Sequence, residues 1–221
     1  MIYRLLVLLF LAQAIPFPGP GGVGAGSGSN INTTPTAHNV AHSNVVTLTA
    51  ITGHLVTVEI GNDGLGGTTS ACADGTNTYT HVPLAPAANT GLPAIGADMW
   101  YAKNVTGGSL TITCTESMAN TVFVYAQDWS GASTTAPFDT SAISNTGSTV
   151  GPITTALGSE LILIISSNAG SSTPCTGYTS VDIGNSNVSS VVGKLAAGSA
   201  GSYTASGCQS SFPANVMAAF K

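Results

Sequence analysis

The sequence predicts an all-β fold, an antiparallel β-sandwich of the jelly-roll or lectin-like kind with about ten short strands. Three observations point there. Apolar residues recur at every second position in short runs, the period of a strand with one wet face. Gly, Pro, Asn and Asp gather between those runs and supply turns. Charged residues make up only 6% of the chain, against about 25% in ordinary globular domains. The Glu, Lys and Arg that normally line the wet face of a soluble helix are therefore missing, and Ser, Thr, Asn and Gly stand in their place.

The strands follow in order. Val46, Leu48 and Ala50 alternate with Thr47 and Thr49. Val56, Val58 and Ile60 share one face of the next run, with Thr57 and Glu59 on the face expected to be wet. Residues 76–82 form a strand entered through Asp74-Gly75, and residues 98–105 form another. Gly107-Gly108 reads as a two-residue hairpin turn. Leu110, Ile112 and Cys114 then share a face, with Thr111, Thr113 and Thr115 opposite. Residues 121–129 are apolar on both faces, as in a central strand covered on both sides, and residues 161–165 resemble them. Runs at 188–196, 201–205 and 214–220 close the domain.

The front of the chain is different in kind. Residues 1–14, MIYRLLVLLFLAQA, carry Arg4, an apolar run from Leu5 to Leu11, and a small-x-small ending at Ala12-Gln13-Ala14. That pattern is a secretory signal peptide. The run falls short of the roughly 20 residues that span a bilayer, so no transmembrane segment is expected. Residues 15–44, dominated at first by Pro and Gly, are expected to be a flexible linker. The sandwich domain is expected over 45–221. The localisation that follows is secreted, either extracellular or at the cell surface.

Four cysteines, Cys72, Cys114, Cys175 and Cys208, suit an oxidising compartment. None forms a C-x-x-C pair, which argues against zinc. Spacing alone leaves three pairings open; the local choice is Cys72–Cys114 and Cys175–Cys208. The formal net charge is -5. Beyond the front segment the basic residues are Lys103, Lys194 and Lys221, too few for the cationic footprint that nucleic acid requires.

Several segments, in this order, resemble a known pattern. Asn77-Thr78-Tyr79-Thr80 is similar to a GNTYT strand, and Trp100 to Gly108 to a WYAKNVAGG hairpin. Asp128-Trp129-Ser130-Gly131, followed by Ala136-Pro137-Phe138-Asp139, is similar to EYSG…PLD, and residues 154–161 to TTAANELV. Together they resemble a β-sandwich domain of secreted and surface proteins of bacteria, often without assigned activity. The resemblance spans about residues 45–221 and implies a sandwich in an extracellular setting. It brings no catalytic residues. The chain departs from the pattern at Asp128-Trp129, where Glu-Tyr is usual, and in its four cysteines.

Candidate ligand-binding residues are Trp100, Tyr101, Asp128, Trp129 and Tyr178. Aromatic rings stack on the apolar faces of sugars, and the same rings fill cores. Glu59 and Glu116 lie on strand faces that can meet across a sheet, and a retaining glycosidase needs two carboxyls about 5 Å apart. Asp63 and Asp74 sit in Gly-rich loops whose carboxylates and carbonyls suit calcium; no other cofactor and no metal-ligand motif is indicated. His38 and His42 are four apart, in the linker and not on a helix. No G-x-S-x-G elbow occurs. The expected function is a non-catalytic interaction or structural module, for adhesion or assembly, whose partner is an extracellular glycan or protein or a copy of itself through an exposed sheet edge. The alternatives are a carbohydrate-binding module and, after it, a secreted glycoside hydrolase.

Overall fold

The computed structural model describes residues 29–62, 69–89, 95–116, 122–170, 173–185, 189–208 and 213–221. The predicted signal peptide, the first part of the predicted linker and Asp63 lie outside them. The first half of the chain holds β1 (Ala37–Ala41), β2 (Val45–Ala50), β3 (Leu55–Asn62), β4 (Thr69–Ala73), β5 (Tyr79–His81), β6 (Ala87–Asn89), β7 (Ile95–Ala102), β8 (Gly108–Glu116) and β9 (Val122–Trp129). The second holds β10 (Phe138–Ser144), β11 (Val150–Thr155), β12 (Leu161–Asn168), β13 (Thr179–Asn185), β14 (Ser189–Ala196), β15 (Gly201–Ala205) and β16 (Ala214–Phe220).

All pairings are antiparallel, and the strands form four sheets instead of the two layers of about ten strands expected. The two large sheets, β1-β9-β3-β7-β5 (with β6 beside β7) and β10-β16-β12-β14-β13, pack face to face around Leu55, Trp129, Leu161 and Phe220. The small sheet β2-β8-β4 covers the outer face of the first through Val46, Leu48 and Ile112 against Val56, Val58 and Ile60. The two-stranded sheet β11-β15 covers the outer face of the second through Val150 and Ile153 against Ile162, Ile164 and Met217.

This layering explains the sequence pattern. The outermost strands β2 and β8 alternate buried with exposed residues, as expected. The inner strands β3, β9, β12 and β16 are buried at every residue. Thr57 and Glu59 are thus not on a wet face: both are 0% exposed, because a second large sheet lies where solvent was expected. The linker is shorter than expected, since Ile31 is buried in the core and Ala37–Ala41 pairs with β9. Gly107-Gly108 makes no hairpin. β7 pairs with β3 and β5 while β8 pairs with β2 and β4, so the chain crosses between sheets there. A Cβ on Gly107 would sit 2.4 Å from the Thr52 backbone nitrogen, which is why glycine stands at that crossing.

The second half repeats the first. The order β1-β9-β3-β7-β5 maps onto β10-β16-β12-β14-β13, and β2-β8 onto β11-β15. The registers agree as well. Leu55 faces Trp129 on β9, and Leu161 faces Phe220 on β16. Thr49 faces Ser109 and Leu48 faces Leu110; Thr154 faces Ser202 and Ile153 faces Tyr203. Thr47-Leu48-Thr49-Ala50-Ile51-Thr52-Gly53 stands where Pro152-Ile153-Thr154-Thr155-Ala156-Leu157-Gly158 stands. Gly108-Ser109-Leu110-Thr111 likewise matches Gly201-Ser202-Tyr203-Thr204. The disulfides are Cys72–Cys114 and Cys175–Cys208, the local pairing expected. Each ties the end of a small-sheet strand, β8 or β15, to the chain that follows β3 or β12.

Candidate functional site

The equivalence of the halves picks out where the chain departs from an ordinary apolar core. With Leu55 set on Leu161 and Trp129 on Phe220, Thr57 falls on Leu163, Glu59 on Ile165, Gln127 on Ala218 and Asp128 on Ala219. Four polar side chains occupy the first half where the second has hydrocarbon. Three of them, Thr57, Glu59 and Gln127, form a seam between the two large sheets.

The seam is a hydrogen-bonded chain. Trp129 Nε1 donates to Thr57 Oγ1 at 2.9 Å, and Thr57 Oγ1 donates to Gln127 Oε1 at 2.9 Å. Gln127 Nε2 donates to Asp182 Oδ2 on β13 at 3.3 Å. The other Asp182 oxygen lies 2.8 Å from His38 Nδ1 on β1, whose side chain is half exposed. Beside this chain, Tyr125 donates its hydroxyl to Ser190 on β14 at 3.0 Å. A Cβ on Gly61 would lie 2.3 Å from Ser190 Oγ, so glycine lets the sheets close here. Glu59 sits within the seam, and neither of its carboxyl oxygens meets a hydrogen-bond partner among the described residues. Burial pushes its pKa up to about 8, with Asp182 adding to the rise and Thr57 and Gln127 opposing it. Glu59 is therefore a neutral acid at pH 7.

A second cluster lies at one end of the first half. His81 Nε2 is 2.6 Å from Asp98 Oδ1, and the His81 ring packs on Trp100 at 4.6 Å between centroids. Glu116 accepts from Thr69 Oγ1 at 2.5 Å and Asn62 Nδ2 at 3.4 Å. Burial raises its pKa, and the Asp98 charge raises it further. A third cluster joins Asp139, Glu160 and Lys221. Burial acts to raise Asp139, but hydrogen bonds from the Lys221 ammonium (2.9 Å) and the Ala156 amide outweigh it and hold the carboxyl low. Burial and the Asp139 charge push Glu160 up. An open cleft of about 550 Å³, lined by Ser29, Gly131, Ser133, Leu157 and Lys221, adjoins this third cluster.

No protein-family model matches this chain, and no curated protein or solved structure matches it either. The site is therefore read from its residues alone.

The five candidate ligand residues do not form one row. Trp129 is 0% exposed in the shared core, and Tyr178 is buried under the small sheet of the second half. Asp128 is buried and lies 2.8 Å from His54 Nδ1. Tyr101 is partly buried against Phe138 and Phe220. Trp100, half-buried beside His81, is the one that also has carboxyls close by. Glu59 and Glu116 do not meet. Glu59 faces the shared core between the large sheets, and Glu116 bonds to Thr69 and Asn62 on the far side of the first large sheet. Asp74 closes a turn. It accepts from the Thr76 and Asn77 amides, the Asn77 side chain and the Tyr79 hydroxyl. Among the described residues, no three His, Cys, Asp or Glu side chains gather as a metal site. No helix among them is long and apolar enough to cross a membrane.

Sequence reasoning missed the His–Asp pairs, which join residues 144, 74 and 17 positions apart. No local motif announces contacts of that range. The internal repeat was the signal within reach, because it marks Glu59 and Gln127 as exceptions.

Proposed function

We propose that this chain is a secreted, non-catalytic interaction or structural module of the bacterial surface, an adhesion or assembly subunit built from two jelly rolls. In a jelly roll with strands lettered B to I along the chain, one sheet runs B-I-D-G and the other holds C next to H. The orders β1-β9-β3-β7 with β2-β8, and β10-β16-β12-β14 with β11-β15, follow that scheme. The supporting observation is how the ionisable side chains are used. Three of the four histidines are each held on an aspartate that is almost fully buried. Each pair ties strands or turns together: β1 to β13, the β2–β3 turn to β9, and β5 to β7. Lys221 is likewise spent on Asp139. Chemistry-bearing groups thus brace the scaffold.

The test is to purify the mature protein and measure its size distribution, its retention on a glycan array, its pelleting with insoluble polysaccharide, and its hydrolysis of generic ester and glycoside substrates. The expected result is multimers or specific retention with no turnover. Turnover that disappears in Asp98→Asn or Glu116→Gln would overturn the reading in favour of a hydrolase.

One observation favours carbohydrate binding as a second reading. Trp100 and His81 pack at a tilt beside Asp98, whose charge reaches Glu116, and an aromatic face next to carboxyl groups suits a sugar. Trp100→Ala would then abolish glycan retention while leaving the melting transition cooperative.

A further inference from the structure

We propose that the interface between the two halves is a pH-operated clasp: the large sheets close over the buried, unbonded carboxyl of Glu59, and its ionisation drives the β1 and β13 edge apart. The geometry carries this. Glu59 is fully buried with neither oxygen bonded, so a charge there would have little compensation beyond the nearby Thr57 and Gln127 side chains. The fold does not require an acid at this position, since Ile165 occupies the equivalent place in the other half.

The groups around Glu59 offer a negative charge little relief. From β9, Tyr125 is its cross-strand neighbour and Gln127 is bonded to Thr57 and Asp182. From β7, its cross-strand neighbour is Met99. From β13 comes Asp182, the carboxylate whose charge acts on it. On β14, Ser190 is bonded to Tyr125, and the one cation, Lys194, is held by the Thr33 carbonyl at 2.5 Å. His38 on β1 lies beyond Asp182. Repulsion between Glu59 and Asp182 therefore falls on β13, an edge strand whose pairing with β14 is broken by a register shift between Ser180 and Asp182. It also falls on β1, which pairs along one side with β9 and is tied to β13 by His38.

The sign follows from linkage. The folded state keeps the Glu59 proton up to about pH 8, while the unfolded chain releases it near 4.5. Stability from Glu59 is full below 4.5 and is lost as pH rises to about 8, by about tenfold in the unfolding constant per pH unit.

Two measurements test the clasp. Carbon-13 carboxyl NMR of the wild type, with Glu59→Gln used to assign the signal, is expected to titrate Glu59 with a midpoint near 8. Amide exchange, corrected for intrinsic rates, is expected to accelerate by up to about tenfold in β1 and β13 between pH 7 and 9. Glu59→Gln should abolish that acceleration. If Glu59→Gln does not fold, Glu59→Ile, which copies Ile165, serves in its place. A Glu59 midpoint between 4 and 5, or edge exchange that accelerates equally in the variant, would overturn the proposal.

Discussion

The two halves of this molecule share one topology and use it differently. The second half is the plainer one. At the positions of Thr57, Glu59, Gln127 and Asp128 it carries Leu163, Ile165, Ala218 and Ala219, and the buried polar side chains of β12 and β16 gather at the Ser166–Asn215 end of that pair. The first half places a hydrogen-bonded seam and an unpaired acid in the same framework. Its small sheet also has a third strand, β4, where that of the second half shows two among the described residues. The lesson is that the framework is set by the apolar positions common to both halves, and the polar exceptions are additions the fold tolerates. Buried polar groups cost stability unless paired, so these four positions, polar in one half and hydrocarbon in its twin, are where selection for something other than stability is visible.

Breaking the shared framework should hurt both halves alike, and most. Trp129→Ala and Phe220→Ala remove equivalent rings from one core. Each is expected to cost about 3–5 kcal/mol in urea unfolding. Trp129→Ala should cost somewhat more, because Thr57 also loses its indole donor. A Phe220→Ala cost below about 1 kcal/mol would deny that the two rings are equivalent. Next come the disulfides, which close separations of 42 and 33 residues. Replacing either pair by alanine should cost roughly 3–4 kcal/mol, the first slightly more on chain-entropy grounds. A strong inequality between them would show that the staples serve their halves differently.

A smaller effect sharpens the comparison at the Asp74 turn of the first half. Asp74 is pushed up by burial but held below the usual range by hydrogen bonds from Asn77, Thr76 and Tyr79. Its contribution is present at neutral pH and disappears as pH falls through that lowered value. Asp74→Ala should cost about 1 kcal/mol at pH 7 and nothing at pH 2; an equal cost at both would contradict the bonding described.

Much of this fold was legible, and the reason for the rest is physical. Alternation in Val46–Ala50 and Leu110–Cys114 marked outer strands correctly, because one face of each does meet water. The unbroken apolar runs at Val122–Trp129 and Leu161–Ile165 marked inner strands for the same reason. Val56–Ile60 misled, because period two says only that the two faces differ. It does not say that the Thr57–Glu59 face meets water, and here it meets another sheet. β1 was hidden behind the Gly- and Pro-rich segment that precedes it. Of the cysteines, spacing left three pairings open, and the local choice is the one the structure shows. Asp128 stood among the candidate ligand residues, but its partner His54 lies 74 residues away, and only the folded chain brings them together.

The most direct test of the two-half account is a reciprocal exchange, Glu59→Ile and Ile165→Glu, with unfolding free energies measured at pH 7.5. Glu59→Ile copies what the second half already does and leaves no bonded partner stranded, so it should stabilise the protein, by up to about 4 kcal/mol. Ile165→Glu puts an acid where no seam exists and should destabilise it by several kcal/mol. If Glu59→Ile instead costs as much as Ile165→Glu, the halves are not equivalent at this position and the account fails.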